Sequence, residues 1–127
     1  MTSEELARRI AAIADAKQAA DIIVIDMRGM VAYTDFLVLC TARNQRQAKA
    51  VHDEVRERMK REEGLAPDHV EGEREAEWIL VDYLDAILHV FSPETRAYYR
   101  LEVLWGEAPR LDLDLAGAAP RAASSGA

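Results

Sequence analysis

The chain has 127 residues, half of them hydrophobic, with 23 acids against 16 lysines and arginines and a net charge of −7. Such a length fits one domain with a core of its own, and the apolar content excludes a wholly disordered chain. The negative balance argues against direct docking on nucleic acid, whose phosphates must be neutralised by Lys and Arg.

Taken in chain order, the N-terminus carries early acids and no long apolar run, so it does not read as a secretory signal. Residues 3–19 predict a helix: Thr2 with Glu5 fits a capping box, and Leu6, Ile10 and Ile13 share one face. Residues 21–26, DIIVID, are a compact β-branched run and predict a buried strand, punctuated by Arg28 and Gly29. Residues 36–41, FLVLCT, predict a second strand covered on both faces. Its Cys40 is the only cysteine, which excludes an intramolecular disulfide and points to a reducing compartment. A long helix follows over residues 44–63, with Ala48, Val51, Val55 and Met59 as its apolar stripe and Gly64 at the position after its end. Its mixed basic and acidic residues read as a solvated face rather than a phosphate contact.

A short edge strand is expected around His69 and Val70. Residues 78–82, WILVD, and 86–91, AILHVF, are joined by only Tyr83, Leu84 and Asp85, so they should pair as an antiparallel hairpin. Ser92-Pro93-Glu94 is a helix start: an N-cap, a proline at the first position, and an acid at the positive end of the dipole. From Ala108 the chain is rich in Ala, Gly, Pro and Ser, so a domain over residues 1–107 and a disordered tail over 108–127 are expected. The sum is a single α/β domain with a mixed sheet flanked by helices. No stretch reaches the roughly 18 apolar residues of a membrane span, so the expected location is the cytoplasm.

No chemistry-bearing constellation stands out. No glycine-rich loop opens a helix, no thiol pair offers a zinc site, and His52, His69 and His89 have no ligand spacing. Cys40, inside an apolar strand, reads as a buried inert thiol. The alternative to a non-enzyme is a metal-dependent nucleotidyltransferase using Asp26, Asp35, Asp82, Asp85 or the Asp112-x-Asp114 pair. Against it, Asp82 and Asp85 bracket a turn, a place acids fill for local hydrogen bonding, and the last pair lies in the expected tail. His89 is the one polar side chain of its strand and reads either as a histidine satisfied by one hydrogen bond or as a polar contact on a docking face.

Charge and aromatics coincide. Residues 68–107 hold ten acids against three arginines, which accounts for the whole excess of −7, and six of the eight aromatics. Carboxylates among Trp and Tyr suit a basic protein partner, aromatics anchoring and acids steering. A core with a solvated acidic rim explains the same composition equally well.

The run from Trp78 to Trp105, WILVDYLDAILHVFSPETRAYYRLEVLW, resembles the Iojap/RsfS family pattern. That pattern has a Trp-led strand, an Asp-Tyr turn, a His-Val-Phe strand, a Pro-Glu helix start, and an ending in Tyr, Leu-Glu and Leu-Trp. Ile25-Asp26-Met27-Arg28-Gly29, Thr34-Asp35-Phe36 and Arg46-Gln47 are similar to the family's upstream landmarks, in order, over about residues 3 to 107. The resemblance implies a nucleotidyltransferase-like fold without the catalytic motif, and no cofactor or metal. It also implies binding to the large ribosomal subunit through its protein fourteen, which would block joining of the small subunit and repress translation. Carried onto this chain, the docking residues are Trp78, Asp82, Tyr83, Asp85, His89, Tyr99, Glu102 and Trp105, with core packing the rival role for the two tryptophans. The free protein would be a homodimer. Two departures stand out. Leu84 occupies a turn position where the family often has Gly, so a different turn geometry is expected. Ala42-Arg43-Asn44 replaces a small Gly-Thr-Ser stretch.

Overall fold

The computed structural model describes residues 1–120. Its elements run α1 (Ser3–Ala16), β1 (Ala20–Asp26), β2 (Phe36–Thr41), α2 (Gln45–Glu63), β3 (His69–Glu71), β4 (Trp78–Asp82), β5 (Ala86–Phe91), α3 (Pro93–Tyr99) and α4 (Leu101–Leu104). The five strands form one sheet in the order β1-β2-β5-β4-β3. β2 and β5 are parallel and every other neighbouring pair is antiparallel, so the sheet is mixed as expected.

Period-two alternation sends the strand residues to two different cores. On one face Ile22, Val24, Phe36, Val38, Cys40, Ile79, Val81, Leu88 and Val90 pack under the apolar stripes of α1 and α2. On the other, Ile23, Ile25, Leu37, Leu39, Ile87 and Phe91 form a smaller core, which Trp78, Leu80, Leu101 and Trp105 cover only in part. Two caps are as the sequence predicts, the Thr2–Glu5 box of α1 and Ser92 accepting from Thr95 N–H on α3, and Asn44, expected inside α2, caps it instead by accepting from Gln47 N–H.

The structure corrects three expectations. Helix α1 stops at Ala16 rather than Ala19, because Gln18 takes a left-handed φ of 64° and Ala19 N–H turns back to the carbonyl of Ala14. Leu84 does adopt positive φ, at 73°, so the hairpin turn keeps the conformation a glycine would take. The Asp82 carboxylate accepts from Leu84 N–H at 2.7 Å and holds that strained residue in place.

The third correction concerns the expected tail. Residues 108–120 are not loose: Leu111, Leu113 and Leu115 pack on the helix-side core, Ala108 is buried in the other, and Ala119 packs against it. Pro109 O accepts from Asp26 N–H at 2.7 Å, and Leu111 N–H donates to Val24 O at 3.0 Å. The segment therefore runs along the outer edge of β1. The part of the expected tail at 121–127 lies outside the described residues.

Candidate functional site

The sequence-predicted residues gather around one contact between the two strands of the hairpin. Trp78 on β4 lies in register with Phe91 on β5, and Leu80 lies in register with His89. All four face the less covered side of the sheet. The indole Nε1–H of Trp78 donates to His89 Nδ1 at 2.9 Å. An indole can only donate, so Nδ1 must accept, and the neutral imidazole then carries its proton on Nε2. His89 is 7% exposed, and burial lowers its pKa to about 4. The ring is therefore neutral near pH 7, which is the state that can hold Trp78.

The half-buried indole is braced by rings on three sides. Phe91 lies 5.0 Å away, His89 5.9 Å and Tyr99 4.7 Å between centroids, with Tyr98 edge-on to Tyr99 at 4.9 Å. Tyr99 reaches this place because α3 ends there and Arg100, at φ 47°, turns the chain into the single turn of α4. Leu101 and Trp105 point inward from that turn, while Tyr98 (79% exposed), Val103 and Leu104 point to solvent. Glu77 and Glu94 are both exposed and line a shallow pocket with Arg43 and Arg46.

Arg96 fixes the position of α3 and α4, and sequence reading missed it. Its buried guanidinium donates to Thr41 Oγ1 at 2.9 Å and Asp21 O at 3.0 Å, and from Nε to both oxygens of Glu102 at 3.2 and 3.3 Å. It also lies over the Phe91 ring, 5.9 Å from the centroid. Nothing local in the sequence sets it apart from Arg74 and Arg100 in the same acid-rich stretch. Gln47, half of the Arg46-Gln47 landmark, carries a role that the sequence alone does not show. Its amide donates to the carbonyls of Lys17 and Gln18, joining the start of α2 to the end of α1.

Trp78, His89, Tyr99 and Trp105 are thus brought to one surface, with Glu102 beside them but committed to Arg96. Asp82 and Asp85 lie at the far end of the hairpin, Asp82 capping the turn and Asp85 exposed. The Asp85 carbonyl accepts from Asp35 N–H and Phe36 N–H, each at 3.2 Å. Tyr83 is not on this surface. It enters the helix-side core, where its hydroxyl is enclosed and burial pushes its pKa up to about 12.

Asp26 is paired with Arg28 through two side-chain hydrogen bonds, at 3.0 and 2.8 Å, and this pairing lowers its pKa. Among the described residues no group of three His, Cys, Asp or Glu could hold a metal ion. Cys40 is fully buried, and burial raises its thiol to about 12, so it stays protonated. Among the described residues no helix is long and apolar enough to cross a membrane.

Fold and cluster together define a small mixed-sheet α/β protein in which histidine, arginine and aromatic residues brace one half-open sheet face. Comparison with known proteins gives this class a family. The profile described as "Ribosomal silencing factor during starvation" matches residues 1–127. The ribosomal silencing factor RsfS of Bacillus subtilis is 38% identical over 114 residues, 90% of this chain and 96% of that protein. A Mus musculus protein named "Mitochondrial assembly of ribosomal large subunit protein 1" is 31% identical over 91 residues, 70% of this chain and 40% of that protein. The crystal structure of a Chromobacterium violaceum protein superposes with a TM-score of 0.80 at 29% identity, covering 94% of this chain and 98% of that one. The chain belongs to the ribosomal silencing factor (RsfS) family.

Proposed function

We propose that this protein docks on the large ribosomal subunit, through its protein fourteen, and sterically blocks joining of the small subunit, so repressing translation in the cytoplasm. The observation that carries the reading is the braced face around Trp78. A half-buried indole, locked by His89 and flanked by exposed Tyr98, Tyr99, Val103 and Leu104, is an anchor surface of the kind protein interfaces use. The acids of residues 68–107 suit a basic ribosomal partner. The name of the mouse relative refers to the large subunit and points the same way. The role calls for no cofactor and no turnover, and the family resemblance extends to a homodimer of the free protein.

The geometry supports a narrower docking set. Trp78, His89, Tyr99 and Trp105 form the anchor, and exposed Glu77, Glu94 and Asp85 supply the steering charge. Tyr83 serves the core, and Glu102 acts through Arg96. The test is co-sedimentation with isolated large and small subunits, followed by addition of the missing subunit. The expected result is selective pelleting with the large subunit, weaker at higher salt, and fewer joined ribosomes. A Tyr98→Ala, Leu104→Ser variant should lose most of the pelleting while keeping its fold, since both side chains are exposed. Equal pelleting with both subunits, or none at low salt, would overturn the reading.

A further inference from the structure

We propose that one exposed stripe of α2 is a second docking surface, for the phosphate backbone of double-helical RNA. Arg46, Lys49, Asp53, Arg56 and Lys60 follow one another at steps of three and four residues, so they share one face of the helix. All five are exposed, and at 1.5 Å per residue the stripe runs about 21 Å from Arg46 to Lys60. Arg43, also exposed, stands just ahead of it and lines the same pocket as Arg46.

The acids interleaved with these cations in the sequence are committed elsewhere. Glu57, beside the stripe, is paired with Arg61, Glu62 with Arg58 and Arg9, and Glu63 with Arg9. Asp53, the one acid within the stripe, accepts from His52 Nδ1 at 3.1 Å. Among the described residues, the side chains of Arg43, Arg46, Lys49, Arg56 and Lys60 make no hydrogen bond or ion pair. The folded helix therefore sorts a mixed sequence into paired charges and a row of free cations.

That row is unfavourable for the helix on its own. Arg56 and Lys60 are like charges four residues apart, and Arg46 stands in the first turn, at the positive end of the dipole. α2 has no acid in that turn, whereas α1 has Glu4 and Glu5 and α3 has Glu94. Phosphates laid along the stripe relieve both repulsions. The stripe holds no aromatic ring on which a base could stack, so it suits the backbone of a double helix rather than a single strand.

The net charge of −7 does not oppose this contact, because a partner meets the local field and not the sum. Glu77 and Glu94 share the pocket of Arg43 and Arg46, so the acidic surface and the basic stripe adjoin. A basic protein seated on RNA offers positive charge beside phosphate, which these two surfaces match side by side. That the RNA is ribosomal rests on the docking reading above.

The test is fluorescence anisotropy of a labelled RNA duplex, titrated with the full chain at low salt and at twice that salt. The unsubstituted chain should bind, and its affinity should fall about tenfold on the doubling, as about four phosphate contacts require. Lys49→Glu with Arg56→Glu should lower the affinity at least about tenfold at low salt. Should that variant lose its circular-dichroism signal, Lys49→Gln with Arg56→Gln decides, and it should flatten the salt dependence. Lys17→Glu with Arg74→Glu makes the same change in net charge at exposed sites off the stripe and should bind nearly as the unsubstituted chain does. No binding at low salt, an equal loss in the stripe and off-stripe variants, or competition by polyglutamate equal to that by unlabelled duplex overturns the proposal. Stripe-dependent binding of the duplex without pelleting on large subunits overturns the docking reading alone, and pelleting without duplex binding overturns the stripe alone.

Discussion

The indole N–H of Trp78 and the Nδ1 of His89 meet at 2.9 Å across the β4–β5 hairpin, on the sheet face that α1 and α2 leave uncovered. Burial of this histidine ties the stability of the fold to pH. The folded pKa of His89 is lowered by burial to about 4, from an unfolded value of 6.5. Between those two values the unfolded chain binds a proton that the folded chain refuses. Stability is therefore full above about pH 6.5 and falls as pH drops toward 4, by up to about 3 kcal/mol. Urea unfolding across this window measures it. His89→Asn offers an acceptor without a titrating ring and should flatten the profile. His89→Leu strands the indole N–H and should lower stability by about 1–3 kcal/mol at pH 7 as well.

Leu84 gives a prediction of the opposite sign. It is 56% exposed and held at φ 73° by the Asp82 carboxylate, so its side chain contributes little while its backbone is strained. Relieving a left-handed non-glycine gains about 1–2 kcal/mol, and the greater freedom of unfolded glycine returns about 0.5–1. Leu84→Gly should thus raise the unfolding midpoint slightly. Leu84→Val, branched at Cβ where positive φ is least tolerated, should lower it. A midpoint lowered equally by both would mean that Leu84 is held by packing.

Arg96 and Glu102 bear on how docking should be probed. The Glu102 carboxylate is the charged partner of a buried guanidinium that also holds Thr41 and the Asp21 carbonyl. Arg96→Met should lower stability by about 2–3 kcal/mol, because three acceptors lose their donor at once. Glu102→Lys should destabilise by a similar amount, placing two cations together. Reduced ribosome binding by Glu102→Lys would then follow from a displaced α4. Glu94→Lys, on the exposed face of α3, changes charge without that side effect. Thermal unfolding of the three variants separates the cases: the Glu94 variant, which loses only an acid at the positive end of the α3 dipole, should melt far closer to the unsubstituted chain than the other two.

Where local chemistry decides, the sequence was readable. DIIVID, FLVLCT, WILVD and AILHVF become strands within a residue of expectation, and Thr2 and Ser92 cap the helices they precede. Where a residue's role depends on a distant partner, it was not. Tyr83 was grouped with the docking residues, yet the parity of Ile79 and Val81 already placed it on the helix-side face. Residues 108–120 look like a tail because Ala, Gly and Pro surround their leucines. The alternation Leu111-Asp112-Leu113-Asp114-Leu115 was the overlooked signal, a period of two that buries every second side chain. Arg96 and Gln47 carry no local pattern, and only the folded chain brings their acceptors within reach.

Gln47 supplies the last prediction. From the first turn of α2 its Nε2 donates to Lys17 O at 3.0 Å and Gln18 O at 2.9 Å, while its Oε1 accepts from Arg43 N–H at 2.7 Å. One amide thus satisfies two carbonyls at the end of α1 and a donor at the start of α2, at a site only 7% exposed. Gln47→Ala abandons all three groups and should lower stability by about 2–3 kcal/mol. Gln47→Glu is nearly the same shape but at neutral pH can only accept, so its charge would face two carbonyl oxygens. It should be the worse variant at pH 7 and recover below pH 5, where the protonated acid can donate to one of them. Parallel unfolding curves for the two variants at pH 7 and pH 4.5 would expose that crossover. If alanine and glutamate tracked each other at both pH values, the amide would be filling space and not bridging the helices.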